Sequence, residues 1–504
     1  MRSFINAAVL TGCVLGSSLA IAQKPKKAAS KTPALPEFQL KAEDPGVHVR
    51  FLAADEMLGR RTGEITNNVA ARYIAEQYRR LGLKPANGQA DYLQPVALEK
   101  VSSDNKGVLV YGASDSLKVK QHFILLSGEK ATFSHTPVVF AAYGTEGDYQ
   151  GLDVKGKIVV AQFGTADAKS PQEGFDLSEK KVNWAAEKGA AALIEVLPPQ
   201  LPWQIVVRYF AGDRVRVASE KSDKPAMPHL WIGGTASKGF NRDNVKELSG
   251  ETPGQQKVPV RSFNVAAVLE GTDPALKNEY LVLSAHFDHV GTGKNGGGNF
   301  TSADSIFNGT RDNAFGTAAV LEAAKTLSLV KPKRSVLFLN FTGEEMGLLG
   351  SKYYAENPLV PMKSCIFNLN SDGAGYNDTT MVTVIGLERT GAKAQIEKAA
   401  KAFGLGVNED PAPEQGLFDR SDNVSFAAKG VPAPTITPGF TKFDDKIYKY
   451  YHQVSDNPDS ISYDYLLKFC QIYAYTARLI ADQPARPQWS KGDKYEPAAQ
   501  QLYR

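Results

Sequence analysis

At residues 341–351 the chain reads FTGEEMGLLGS, with Glu344 and Glu345 side by side after the apolar run SVLFLNF. Two adjacent carboxylates repel each other and gain little unless positive charge lies close by. The plain reading is a pair of solvated acids opening a helix, where the helix dipole favours negative charge. Related side chains stand elsewhere: His286, Asp288 and His289 in AHFDHVG, Asp312 in GTRDNAFG, Asp372 in NSDGAG and His452 in YYHQVSD. Taken singly, a His after a strand reads as a core or capping residue, and an Asp before a helix as an N-cap. Taken together, imidazoles and carboxylates at successive strand ends make the mixed nitrogen and oxygen donor set that zinc accepts.

The elements that must position them follow from periodicity. From about residue 260, strands and helices alternate: EYLVLSAHFD, AFGTAAVLEAAKTLSLV, RSVLFLNFTG, GLLGSKYYAEN, SCIFNLNSD, TGAKAQIEKAAKAFG and APTITPG. That order predicts an α/β chain with a doubly wound sheet, whose sites lie beyond the carboxyl ends of its strands. The helix YDYLLKFCQIYAYTARLIAD packs on one face, and residues 486–504 read as a loose tail. Upstream, NNVAARYIAEQYRRLGL carries a helical face that includes Val69, Tyr73, Ile74, Gln77, Tyr78 and Leu81, closed by Gly82. Between 130 and 255, short strands such as TPVVFAAYG and GKIVVAQFG alternate with Gly turns around one helix, SEKKVNWAAEKGA. This texture predicts a strand-rich lobe inserted between residues 41–129 and 256–485. There are no internal repeats.

These strings, in this order, resemble the co-catalytic zinc aminopeptidases of metallopeptidase family twenty-eight. The matching pieces are AHFDHVG, GTRDNAFGTAAVLE, FTGEEMGLLGS, NSDGAG and YYHQVSD. TPVVFAAYGTE, GLDVKGKIVVAQF and AAEKGAAALI resemble the protease-associated (PA) domain often inserted in such enzymes. The resemblance implies two zinc ions bridged by Asp312, one also held by His286 and Asp372, the other by Glu345 and His452. It makes Glu344 the unligated general base, Asp288 the outer partner of the His286 ring, and Asp312–Asn313 the place for a cis peptide bond. Paired ions about 3.5–4 Å apart acidify a water and clamp the oxygens of the tetrahedral intermediate. Glu344 would then move the proton to the leaving amine. Relatives often read Ser-Asp-His where this chain has Ser421-Asp422-Asn423, which leaves Asp422 and Asn423 as substrate-side candidates. The Gly-rich run GTGKNGGGNFTSADSIFNG suggests a loop over the cleft, and the pocket walls are expected from loops of both lobes.

Composition narrows the function further. The chain has 504 residues, 42% of them apolar and 22% charged, which implies a globular protein of two or three domains. A net charge of +4 gives no nucleic-acid footprint. Residues 1–22 end in Ala20-Ile21-Ala22 and read as a secretory signal cleaved after Ala22, which directs the chain to the periplasm or the medium. A lipoprotein box at Cys13 is disfavoured, because the apolar run before it is short and continues past it. Residues 23–40 read as a disordered, Lys- and Pro-rich lead-in, and no later run is long enough for stable membrane insertion. Cys365 and Cys470 then remain, Cys365 reading as a buried thiol rather than half of a disulfide. The expectation is an exported exopeptidase acting on peptide substrates from the amino end, with oligomeric state left open. Glutaminyl cyclase and carboxypeptidase are rivals on the same fold. A non-catalytic, receptor-like module is the rival that should lack ligands present here.

Overall fold

The structure, a computed structural model, describes residues 40–504 except 87, 113–114, 168–170 and 219–225. The signal and lead-in readings therefore lie outside the described residues. A ten-stranded mixed sheet forms the centre. Its middle is four parallel strands in the order Thr435–Pro438, Cys365–Ser371, Tyr280–His286 and Ser335–Phe341. Gln255–Leu269 and Leu93–Ser103 continue it as a long antiparallel ribbon, and Met381–Ile385 closes antiparallel on Thr435–Pro438.

The parallel strands are buried on both faces, as their unbroken apolar runs demand. Alternate side chains serve opposite cores. Leu281 and Leu283 face a core shared with helices Glu43–Leu52, Ile65–Arg80, Phe315–Leu329 and Tyr463–Asp482, while Val282, Leu337 and Leu339 face a second core with Tyr354, Phe426 and Trp489. The result is two helical layers around one sheet, the mixed α/β arrangement that the alternation implied. Cys365 and Cys470 are both buried free thiols.

Three boundaries differ from the sequence reading. The second, eight-stranded sheet contains Val108–Tyr111, Asp115–Lys118 and Phe123–Ser127, so the strand-rich lobe starts ahead of residue 130. Glu247–Glu251 pairs with Val108–Tyr111 on one side and Thr132–Phe140 on the other, Asp115–Lys118 pairs with Val108–Tyr111, and Phe123–Ser127 pairs with His229–Ile232. The tail is packed, not loose. Trp489 is buried and donates to Gly430 O at 3.0 Å, Asp493 pairs with Arg389 at 2.7 Å, and Tyr503 donates to Cys365 O at 2.5 Å. In helix Ile65–Arg80 the buried face is Thr66, Asn67, Ala70, Ala71, Ile74, Ala75 and Tyr78, whereas Val69 is exposed. Small residues let this helix lie close to the sheet, and buried Asn67 accepts from the Ser262 and Thr342 hydroxyls.

The lobe holds a buried charge cluster of its own. Glu195 accepts from Lys181 at 2.8 Å, His229 at 2.8 Å and Trp231 at 3.0 Å. Burial opposes its charge, but His229 and Lys181 outweigh burial and hold its pKa down to about 2. A carboxylate with a depressed folded pKa stabilises above its unfolded value and loses that contribution as pH falls through the folded one. The gap from the ordinary 4.5 to about 2 corresponds to about 3 kcal/mol. Denaturant titrations should show lobe stability falling by that order between pH 4.5 and 2. In Glu195→Gln this pH dependence should vanish from an already weakened lobe, because Lys181 is left buried without its counter-charge.

Candidate metal centre

Three of the four parallel strands deliver their chemistry at the carboxyl end. His286 closes Tyr280–His286, Glu344 and Glu345 follow Ser335–Phe341, and Asp372 follows Cys365–Ser371. Asp312 sits in the turn before helix Phe315–Leu329, and its bond to Asn313 is cis. Asn313 fixes that turn by donating to Ser371 O at 2.8 Å and accepting from Gly316 N at 2.9 Å.

His452 comes from a distant loop, brought in by a buried pair. Arg311 donates to Asp456 from its backbone N at 2.8 Å and from its guanidinium at 2.7 Å. That guanidinium also stacks on Tyr450 at 3.7 Å. His452 itself has φ +53°, a left-handed backbone uncommon outside glycine. The Gly-rich run packs against this loop. A Cβ on Gly298 would fall 2.1 Å from His452 O, so only glycine allows the approach.

The side chains converge. Asp312 directs Oδ1 to His286 Nε2 at 3.3 Å and Oδ2 to His452 Nε2 at 3.2 Å. Asp372 lies 3.1 Å from His286, and Glu345 lies 3.1 Å from His452. Two groups of donor atoms result, each within 4.8 Å: His286, Asp312 and Asp372, and His289, Asp312, Glu345 and His452. Asp312 belongs to both. Glu344 belongs to neither, with Oε2 4.0 Å from His286 Nε2.

Electrostatics separates the acids. Burial opposes the charge of Asp312, but bonds to His286 and His452 hold its pKa well below the usual range. Burial and Asp312 both raise Glu345, yet His452 and His289 bring it to about 2. Glu344 moves the other way, pushed well above its usual value by burial and by Asp372, Glu345 and Asp422. Burial disfavours the charged rings of His286 and His452, but the surrounding carboxylates outweigh it and raise both. Rings forced to hold protons among carboxylates mark a place that wants a cation, and the donor set fits zinc.

Asp288 stands beside the His286 ring. The Nδ1 atom of His286 lies 3.2 Å from the backbone oxygen of Asp288 and 3.7 Å from its carboxylate. The carboxylate also accepts from Glu344 N at 3.2 Å and Thr62 at 3.0 Å, which steadies the Glu344 turn. Asp422 and Asn423 are fully buried and do not line the cleft. Asn423 donates to Phe418 O and Ala433 O, both at 3.1 Å, so it ties two loops together. Burial leads the forces that push Asp422 up to about 7. Their neighbours face the cleft instead: Arg420 and Ser421 line it, and Ser421 donates to Asp372 at 2.6 Å. The cleft, about 690 Å³, is lined by residues between 312 and 452, so the expected walls from both lobes are not found among the described residues.

The sequence reading named His289 but gave it no role, and it missed Tyr451 and Arg60. His289 is buried and meets Glu345 at 2.7 Å, leaving Nε2 without a partner. Its position in AHFDHVG was the available signal. Tyr451 lines the cleft, its ring 4.3 Å from the His452 ring. Arg60 is fully buried and donates to Phe287 O at 2.6 Å, Leu52 O at 3.1 Å, Gly309 O at 2.6 Å and Asn308 O. Burial lowers its pKa to about 10, opposed by Asp312, Asp288, Asp456 and Glu345, so it stays charged at neutral pH.

With this geometry in hand, comparison with known proteins is informative. Residues 264–477 match the model of Peptidase family M28. The probable leucine aminopeptidase 2 of Aspergillus oryzae is 30% identical over 312 residues, 58% of this chain and 54% of that protein. The chain thus spans about half the length of that curated relative. Aminopeptidase YwaD of Bacillus subtilis is 23% identical over 422 residues, 81% of this chain and 78% of that one. Among solved structures, the aminopeptidase from Aneurinibacillus sp. strain AM-1 shares the fold, with TM-score 0.56 and 21% identity over 91% of this chain and 98% of that one.

Arg60 gives this site its test. Arg60→Met should lower stability by about 3–5 kcal/mol, read by thermal melts in the presence of a chelator, because several buried carbonyls lose their donor. Arg60→Lys, which keeps the charge but not the planar fork, should recover only part of that loss.

Proposed function

We propose that the chain is a two-zinc aminopeptidase that releases N-terminal residues from peptides. The observation that carries this reading is the split of Asp312 between His286 and His452, with Glu344 left outside both donor groups. His286, Asp372 and Asp312 would hold one ion, and Asp312, Glu345 and His452 the other, with His289 steadying Glu345. Zinc bound there would supply Lewis-acid polarisation of the peptide carbonyl and an acidified water.

The rest is done by the chain. Glu344, the one acid of the adjacent pair whose pKa is raised, accepts the proton of the attacking water and returns it to the leaving amine. The backbone bond from Glu344 N to Asp288 holds that carboxylate's turn in place. Tyr451, whose phenol is kept protonated by burial, can donate to oxygen charge developing in the cleft. Ile385, Leu417, Phe440, Phe443 and Ile447 offer an apolar wall for the side chain of the N-terminal residue.

Export rests on the N-terminal string MRSFINAAVLTGCVLGSSLAIAQ, and the inserted lobe is read as a PA domain from the resemblance carried by TPVVFAAYGTE, GLDVKGKIVVAQF and AAEKGAAALI. Among the described residues, no helix is long and apolar enough to cross a membrane.

Glu344→Gln should lower kcat on leucine p-nitroanilide by about 10²–10⁴-fold or more, while zinc content stays at two ions per chain by elemental analysis. Chelation should abolish turnover and zinc restore it. Full activity in Glu344→Gln, or cyclisation of a glutaminyl peptide with no release of N-terminal residues, would overturn the reading.

A further inference from the structure

Five arginines lie between residues 264 and 482: Arg311, Arg334, Arg389, Arg420 and Arg478. Four of them hold a carboxylate, Arg311 with Asp456, Arg334 with Glu279, Arg389 with Asp493 and Arg478 with Asp482. Arg420 holds none among the described residues. Among the described residues its guanidinium has one hydrogen bond, to the Tyr451 hydroxyl at 3.5 Å, which is the outer limit of such a bond. The acid next to it in sequence, Asp419, is already taken by Lys494 at 2.5 Å and by the Tyr495 hydroxyl at 2.8 Å.

The position of this uncommitted cation is specific. Arg420 lines the catalytic cleft, and it precedes Ser421, whose hydroxyl is bonded to Asp372. That hydrogen-bond partner, Tyr451, precedes His452. Arg420 is therefore linked through Ser421 and Tyr451 to residues adjoining the candidate metal centre, and it lines the cleft beside them. The remaining charged side chains lining the cleft are Asp312, Glu344, Glu345, Asp372 and His452. These belong to the metal centre and the proton shuttle, and Arg420 does not. A planar guanidinium with free donors is matched to a carboxylate, and it repels a cationic side chain at the same place.

We propose that Arg420 is a specificity-determining residue that receives a carboxylate of the substrate close to the scissile bond. This rests on the peptidase reading above. The carboxylate has two sources, the acidic side chain of the N-terminal residue or the terminal carboxylate of a dipeptide, and paired substrates separate them. Glutamyl and glutaminyl p-nitroanilides differ only at the side chain, while Leu-Gly and its amide differ only at the terminus.

The purified, zinc-loaded full chain should show kcat/KM at least about tenfold higher for the carboxylate member of one pair, a difference of about 1.4 kcal/mol. Arg420→Gln should bring that ratio close to one, chiefly by raising KM for the carboxylate member, and Arg420→Lys should keep part of it. The proposal is overturned if wild type shows no preference in either pair, or if Arg420→Gln leaves the preferred ratio intact. Leucine p-nitroanilide, which carries no carboxylate, is the reference. Failure of wild type to hydrolyse it would sink the peptidase reading itself, whereas hydrolysis of it without preference in either pair would remove only the role of Arg420.

Discussion

The central constraint is charge. Asp288, Asp312, Glu344, Glu345, Asp372 and Asp422 converge at one end of the sheet, most of them deeply buried. Buried carboxylates a few ångströms apart cannot all stay ionised unless cations are interleaved with them. The chain supplies some of that charge itself. His286 and His452 stand on either side of Asp312, His289 backs Glu345, and Arg60 lies buried behind the turn that carries Asp312. Arg311, committed to Asp456, anchors the far loop without adding net charge to the centre. What the chain does not balance is the part a pair of divalent ions would balance.

The fold makes that convergence affordable in entropy, because parallel strands end at the same edge. His286, Glu344 and Asp372 need no long-range search once Tyr280–His286 is paired in register with both Ser335–Phe341 and Cys365–Ser371. His452 has no such guarantee. It reaches the centre only because Asp456 accepts two bonds from Arg311, one residue before Asp312. Asp312, shared by both donor groups, and His452, the most distant member, are therefore both positioned by a single buried ion pair.

Much of this was legible in the sequence, for reasons that can be named. The parallel core could be read because strands buried on both faces give unbroken apolar runs, as in SVLFLNF. The proposed ligands could be read because their types are unusual at strand ends. Arg60 could not, since its acceptors are backbone carbonyls, which every residue carries whatever its identity. Val69 was assigned to the buried face because size was used as a proxy for burial, whereas a helix lying close to a sheet buries Ala70, Ala71 and Ala75. The tail read as loose because QWSKGDKYEPAAQ has no period. Trp489 packs there by aromatic contact with Phe418, 6.2 Å between ring centroids, which no local pattern announces.

Asp422 and Asn423 teach a different lesson. Both were placed on the substrate side by their neighbourhood, and the neighbourhood was right, but the backbone turns so that Arg420 and Ser421 face the cleft. The same pairing recurs at Tyr451-His452, where one residue touches the cleft and the next belongs to a donor group. In both dipeptides a cleft-lining residue is one peptide bond from a residue that belongs to, or is bonded to, a candidate metal-donor group. Peptide planes are rigid, so a shift of a few tenths of an ångström in one member is passed to the other. On the reading proposed above, a substrate group that pulled Arg420 or Tyr451 toward itself would also disturb the setting of Asp372 or His452, and binding would be coupled to chemistry through two covalent links.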